Sequence, residues 1–253
     1  MKTAAILAFD ASTDSCSVAL QYAGHTFSRT SVEPRRHAQT LLPMVDELLT
    51  EAQIDLSHLD YLALTNGPGS FTGIRIALSV VQGLSYAANI PVICMSSLDV
   101  LAVNGWAIST ASPTIVDGSP ITGDIVVSAL DARMGEVYWG AYRTTEASHA
   151  KLRPYAVSSY DDFNREFGDI ASAGDSVVGY GSAWSIKALV ADGARAVHAN
   201  VSPSADCLLR LLDQHHAIDS LAQEAALIEP LYLRNEVAWQ KRTRIRTHSI
   251  IAE

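Results

Sequence analysis

The chain has 253 residues, of which 48% are hydrophobic, and a formal net charge of −9. This content allows a sizeable core, in one large domain or two of ordinary size, and excludes disorder over most of the length. The acidic excess disfavours nucleic-acid binding by the chain alone, because an acidic surface repels phosphates. Three cysteines without a CxxC pair predict a reduced, cytoplasmic protein. The first apolar run ends after six residues, so neither a signal peptide nor a membrane span is expected.

The first hundred residues alternate short apolar runs with helical patterns. Two apolar runs separated by a polar turn, 3–12 and 15–24, predict a β-hairpin. Helical periodicity predicts a helix over 35–52, with Pro43 as a kink, and a longer helix over 71–88. Two further apolar runs predict buried strands, one on each side of the second helix: 59–66 and 90–95.

A Ser-, Thr-, Pro- and Gly-rich stretch, 104–124, predicts a linker between an N-terminal half (1–103) and a C-terminal half (125–253) that ends in a helix and a basic tail. The second half opens as the first does, with an apolar strand, Asp-Ala, a tight turn and another apolar strand. Asp10 and Asp131 begin the two turns. Duplication explains this repetition, and so does coincidence, because strand–turn–strand units are common.

The glycine-rich stretch "TNGPGSFTGIRIA" follows a predicted strand and precedes a helix. Such a loop can direct backbone N–H groups at a phosphate. However, the spacing matches neither the P-loop nor the dinucleotide fingerprint, and no lysine lies between Lys2 and Lys151. The sequence therefore favours a tight turn in which Ser70 is the helix N-cap.

The sequence offers no complete metal or nucleophile motif. No two of the eight histidines lie three or four residues apart, as zinc ligands on one helical face do, and G-x-S-x-G is absent. His37 is interpreted as a local hydrogen-bonding group at a helix start. Asp10 and Asp131 could act as acids or hold a metal–nucleotide, but turn aspartates more often bond their own backbone. The bulky Arg133 and Met134 also disfavour a phosphate at the second turn.

The tail is basic, whereas the rest of the chain is acidic. Four cations in the tail leave −13 on the remainder: Lys241, Arg242, Arg244 and Arg246. They are candidates for contact with RNA, and the alternative is a solvated terminus.

Five stretches together resemble the TsaB (YeaZ) family of the bacterial tRNA threonylcarbamoyladenosine pathway: "ILAFDASTDSCSVAL", "RRHAQTLLPMVDELL", "NGPGSFTGIRIALSVVQGL", "ALDARMGEVYWGAY" and "EPLYLRNEVAW". The resemblance implies an α/β fold of two actin-like ATPase halves (the sugar kinase/Hsp70/actin, RNase H-like superfamily). It also implies a vestigial nucleotide cleft, carried by Asp10, Gly67, Gly69, Ser70 and Asp131.

The resemblance further implies a paralogue, TsaD, which transfers threonylcarbamoyl to adenosine-37 of tRNA. TsaD-like proteins carry H-x-x-x-H where this chain has Ser97 and Leu101, so the metal site is expected to be lost. The expected function is a non-catalytic scaffold that binds TsaD, a TsaE-like ATPase and, through the complex, tRNA. No cofactor is expected for the chain alone, while ATP or ADP could bind at an interface of the complex. The alternative is an enzyme, either a nucleotide-dependent transferase or a glycoprotease-like metallopeptidase.

The two long helices carry the predicted partner interface, because small residues recur along the second one and let another helix approach closely. The same contact would serve TsaD or, in its absence, a homodimer. The alternative is that these residues pack inside the chain. The interface is assigned to Leu41, Val45, Leu48, Gly73, Ala77, Val80, Gly83 and Ala87.

Overall fold

The computed structural model describes residues 4–33, 35–103, 125–144, 149–173, 175–215 and 217–234, with two short strands inside 104–124. The helices are α1 (His37–Ala52), α2 (Phe71–Ala88), α3 (described over 97–103), α4 (Tyr160–Ser172) and α5 (Ala205–Asp213). The strands are β1 (Ile6–Asp10), β2 (Cys16–Tyr22), β3 (His25–Ser31), β4 (Tyr61–Thr65), β5 (Val92–Met95), β6 (Ile115–Val116), β7 (Ser119–Pro120), β8 (Ile125–Arg133), β9 (Glu136–Thr144), β10 (His149–Lys151), β11 (Ala156–Ser159), β12 (Val177–Tyr180), β13 (Ala194–His198) and β14 (Ala222–Gln223).

The first sheet has the order β14-β5-β4-β1-β2-β3. β1 and β2 form the predicted antiparallel hairpin, and β1, β4 and β5 run parallel. Side chains alternate along β1 because successive residues of a strand face opposite ways. Leu7 and Phe9 pack in the core beneath α1 and α2, whereas Ile6 and Ala8 pack in a second core with α5.

The second sheet has the order β10-β9-β8-β12-β13, with β11 also paired to β9. Helix α4 covers one face, where Phe163 stacks edge-on against Trp139. Helix α3 lies between the two sheets, since Leu101 packs against the second sheet and Val100 against the first. This arrangement confirms the predicted α/β fold of two halves.

The C-terminal part of the chain crosses back to the first half. Helix α5 packs on the first sheet, and β14 pairs with β5 at its edge. Residue 125 therefore begins the second sheet, but residues 205–223 complete the first. The predicted linker, 104–124, lies outside the described residues except for β6 and β7.

Most predicted elements are present in the structure. Helix α2 has the predicted bounds, and α1 begins at His37. The sequence missed β3, which is a largely exposed edge strand whose polar composition gives no apolar run.

The basic tail, 241–246, lies outside the described residues. Within the described ranges, no helix is long and apolar enough to cross a membrane.

Candidate functional site

A cleft of about 990 Å³ separates the turns of the two hairpins. Residues 12–15 and 68–71 line it from the first half, and residues 130–133 line it from the second. Residues 231–234 complete the lining between them. The cleft thus brings together three of the predicted cleft residues, Gly69, Ser70 and Asp131, while Asp10 and Gly67 are not part of its lining.

The glycine loop packs tightly against the first hairpin turn. A Cβ on Gly69 would lie 2.1 Å from the Ser12 carbonyl oxygen, and one on Gly73 would lie 2.1 Å from the Ala11 carbonyl oxygen. Both distances are far below van der Waals contact, so any side chain at these positions would displace the turn. The glycines are therefore required by the close approach of the chain's own backbone.

The polar groups of the loop also serve the chain itself. The Ser70 N–H donates to the Ser12 carbonyl at 2.7 Å, and Ser70 Oγ accepts from the Gly73 N–H at 3.3 Å, which confirms the predicted N-cap. The Gly67 carbonyl accepts from the Ser97 N–H at 2.8 Å. A phosphate cradle needs N–H groups that are free to face the ligand. Those of Ser70 and Gly73 are already engaged.

Asp10 lies at the end of β1 and is fully buried. Its Oδ1 accepts hydrogen bonds from Ser12 Oγ, at 2.8 Å, and from Thr65 Oγ1. Its Oδ2 is buried without a hydrogen-bond partner among the described residues. Burial raises the pKa of Asp10, and the hydrogen bonds from Thr65 and Ser12, together with the charge interaction with His37, oppose the rise. This carboxyl group is enclosed by the protein and does not reach the cleft.

Asp131 is held by its own turn. Its Oδ1 accepts from the Arg133 N–H at 2.8 Å, and its Oδ2 pairs with the Arg133 guanidinium at 3.1 Å. The sequence predicted this local bonding. His37 behaves as predicted as well, since its Nε2–H donates to the Thr13 carbonyl at 3.1 Å and ties α1 to the first turn.

The residues present do not fit the nucleotide–metal complex that the fold implies. The cleft lining contains no lysine, and its two arginines, Arg133 and Arg234, already pair with Asp131 and Glu136. At the positions of the H-x-x-x-H pair, Ser97 and Leu101 are fully buried. No cluster of three or more potential metal ligands occurs in the described part of the chain.

The structure adds a contact that the sequence did not reveal. The Arg75 guanidinium lies 3.7 Å from the centre of the Phe71 ring, and its Nε–H donates to the Tyr232 hydroxyl at 2.9 Å. Phe71 and Tyr232 belong to the cleft lining. Because 157 residues separate Arg75 from Tyr232, no local pattern could have indicated the pairing.

The residues of the predicted partner interface divide into two groups. Five are buried inside the chain, where they pack on the first sheet or on its hairpin turn: Leu41, Val45, Leu48, Gly73 and Ala77. The expectation that their side chains face a partner is corrected by this burial. Val80 is half-buried, whereas Gly83 and Ala87 are exposed. Contact of these three with another chain stays a prediction.

Comparisons with known proteins lead to the same family that the sequence resembles. A family model for TsaD, tRNA N6-adenosine threonylcarbamoyltransferase, matches residues 30–242. The chain is 34% identical to the tRNA threonylcarbamoyladenosine biosynthesis protein TsaB of Escherichia coli over 93% of its length and 97% of that protein. Identity to the Haemophilus influenzae TsaB is 32%, over 95% and 98%. The solved structure of YeaZ from Pseudomonas aeruginosa superposes with a TM-score of 0.76 at 37% identity, covering 91% of this chain and all of that one. These matches confirm the resemblance drawn from the sequence.

Proposed function

The chain belongs to the TsaB family of tRNA threonylcarbamoyladenosine biosynthesis proteins. From this membership, we propose that it is a non-catalytic scaffold subunit of the complex that makes threonylcarbamoyladenosine in tRNA. The observation that carries the proposal is the packing of the cleft. The N–H groups of Ser70 and Gly73 bond within the glycine loop and to the first hairpin turn, and the second hairpin turn bonds within itself, so these groups are not available to cradle a reacting phosphate. A chain that keeps the fold without the reactive groups is suited to binding an active relative.

We infer that the partner is a TsaD-like protein, which would supply the catalytic metal and the transfer activity. A TsaE-like ATPase and the tRNA would join through the complex. ATP or ADP would bind at an interface between subunits, because the cleft of this chain does not suit a nucleotide on its own. These assignments rest on family membership and on the composition of the cleft.

Helix α2 supports a contact with another chain. A Cβ added to Gly83 would meet no atom within 4 Å, so the fold of this chain does not require glycine there. A glycine inside a helix costs about 0.5–1 kcal/mol relative to alanine. Tyr86, beside it, is 92% exposed. A partner helix that approaches closely at residue 83 would explain both features.

Co-purification with the TsaD-like protein of the same cell tests the proposal. We expect the wild-type chain to retain that protein, and we expect Gly83→Trp to lose it while remaining folded, because the indole would block helix–helix approach. Gly168→Trp, at a helical glycine of α4 that also has open space around it, is the matched control and should retain the partner. Retention by Gly83→Trp would place the contact elsewhere, and loss of the partner by both variants would remove the argument from α2.

The enzyme alternative has its own test. The purified chain should hold no stoichiometric zinc or iron and should hydrolyse no ATP above background. Bound metal, with an activity that a chelator abolishes, would favour the metallopeptidase or transferase instead.

In the absence of the TsaD-like protein, the same face of α2 would join two copies of this chain by two-fold symmetry. Sedimentation should then show a dimer that the TsaD-like protein converts into a mixed complex. A dimer that survives with the partner bound would mean that two separate surfaces are used.

A further inference from the structure

Residues 228–234, here called the clasp segment, contact both halves of the molecule. Ile228 is buried in the core beneath α1 and α2 of the first half. Leu233, five residues later, packs against the cluster formed by α3 and the second sheet. The segment therefore passes from one core to the other along the cleft, whose lining includes residues 231–234.

Directional bonds attach the clasp segment to the first half. The Leu231 N–H donates to the Asn66 carbonyl at 2.7 Å, and Asn66 Nδ2 donates to the Glu229 carbonyl at 3.2 Å. Next to them, a Cβ on Gly67 would lie only 3.0 Å from the Leu231 carbonyl oxygen. The glycine loop thus contacts the clasp segment on one side and the first hairpin turn on the other.

Arg234 attaches the clasp segment to the second half. Its guanidinium donates to the Ala132 carbonyl at 3.2 Å and pairs with the Glu136 carboxylate, so it holds the turn between β8 and β9. The Arg234 side chain is only 19% exposed. The Glu136 side chain is 37% exposed, so the ion pair is partly shielded from water and is screened by salt somewhat less than a surface pair.

We propose that the clasp segment fixes the two halves in one relative orientation, with Arg234 and Asn66 as its anchors. The cores that meet at α3 are apolar, and the hydrophobic attraction between them is not directional, so it opposes a small rotation of the halves less sharply than hydrogen bonds do. Outside the cleft lining, Asp99 of α3 accepts from the Tyr155 hydroxyl and pairs with Lys151 at 3.8 Å, and these contacts form a polar attachment to the second half at a single residue. The clasp segment adds an attachment at the cleft, and two separated attachments define an orientation where one does not. In this way, a fold that could close on a ligand becomes a rigid platform.

Distances between spin labels on the two halves test this directly in the full chain. One label is placed on α1 (Asp46→Cys) and the other on α4 (Asp161→Cys), both exposed positions. Burial raises the pKa of Cys16, Cys94 and Cys207, that of Cys94 to about 12, which disfavours their labelling, and a chain without the two introduced cysteines measures any signal from them. The wild-type chain should give one narrow distance distribution, measured at a concentration where it is monomeric.

Arg234→Gln should broaden that distribution by about twofold, because loss of this anchor lets the halves rotate about the remaining attachment. Asn66→Ala removes only the side-chain bond to the Glu229 carbonyl, while the backbone bond from the Leu231 N–H stays, so it should broaden the distribution less. Glu136→Gln breaks the same ion pair by changing its acidic partner, and it replaces Arg234→Gln in the experiment if that variant does not fold. Arg143→Gln is the matched control, because it breaks an ion pair with Asp175 that lies within the second half, and it should leave the distribution narrow. Unchanged widths in folded Arg234→Gln and Asn66→Ala would overturn the proposal, as would equal broadening in the control.

Discussion

A buried carboxylate that is not paired with a lysine or arginine normally destabilises a fold, and Asp10 is such a group. Two hydroxyls bond its Oδ1, but its Oδ2 has no partner among the described residues, and burial raises its pKa. The folded state therefore holds the proton more tightly than the unfolded state does. The contribution of Asp10 to stability is fully present below its unfolded pKa of 3.8 and is lost as the pH rises through the folded value.

Asp10→Asn should accordingly stabilise the chain at neutral pH by on the order of 1 kcal/mol, because a neutral amide avoids the cost of burying a charge. The gain should shrink as the pH falls through the folded pKa of Asp10, and it should vanish below the unfolded value of 3.8, where Asp10 is protonated in both states. Denaturant unfolding at several pH values measures it, with Asp46→Asn, an exposed aspartate of α1, as a control expected to change little. A loss of stability at neutral pH, or a gain that persists in acid, would show that the carboxylate has a stabilising partner.

The sequence located this residue, but it could not show which way the side chain points. A turn aspartate after an apolar strand can face a cleft or the core, and only the packing of Ser12 and Thr65 around it decides. The same holds for the glycine loop. Its composition indicated a tight turn, and only the structure shows that this turn packs against the carbonyl of Ser12.

At the level of elements, α2 shows what periodicity can and cannot predict. Its bounds follow from the apolar pattern and from the Ser70 cap. Its two pairs of small residues were assigned to one interface, yet Gly73 is buried and Gly83 is exposed. The reason is geometric: ten residues on a 100° step place Gly83 about 80° around the helix from Gly73. The first pair faces the first hairpin and the core, and the second faces solvent.

Replacing Gly83 by alanine distinguishes the effect of this residue on the stability of the chain from its effect on partner binding. Gly83→Ala should stabilise the isolated chain by about 0.5–1 kcal/mol, since alanine favours the helix and meets no atom within 4 Å. If a partner helix packs there, the same variant should weaken the complex. Gly168→Ala in α4 should give a similar stabilisation with no effect on binding. Thermal unfolding and titration with the TsaD-like protein measure the two effects. Equal binding by both variants would argue against a close contact at residue 83.

For the whole molecule, the sequence predicted the two halves, because each begins with a strand–turn–strand unit marked by an aspartate. It could not predict that α5, β14 and the clasp segment return to the first half. Those contacts join residues far apart along the chain, and nothing in a local pattern records them. The complete first sheet and the cleft therefore depend on chain segments that follow the second sheet.

Charge is also distributed over the whole molecule, with −13 on the body and four cations in the tail. Repulsion by the body should keep tRNA binding by the isolated chain weak, and the tail should act only where the complex presents tRNA beside it. Changing the four tail cations to glutamine should lower the affinity of the complex for tRNA. It should also reduce the slope of log affinity against log salt by about 3, since each neutralised phosphate contributes about 0.7–0.9.

Filter binding across a salt series, with the intact complex and the same tRNA, measures this slope. A comparison variant, in which three body cations (Lys187, Arg195 and Arg210) become glutamine, changes the net charge in the same direction without altering the tail. It should leave the slope nearly unchanged. An unaltered slope in the tail variant would exclude the tail from the tRNA contact. Micromolar or tighter binding by the isolated chain at physiological salt would show that the acidic body does not control binding.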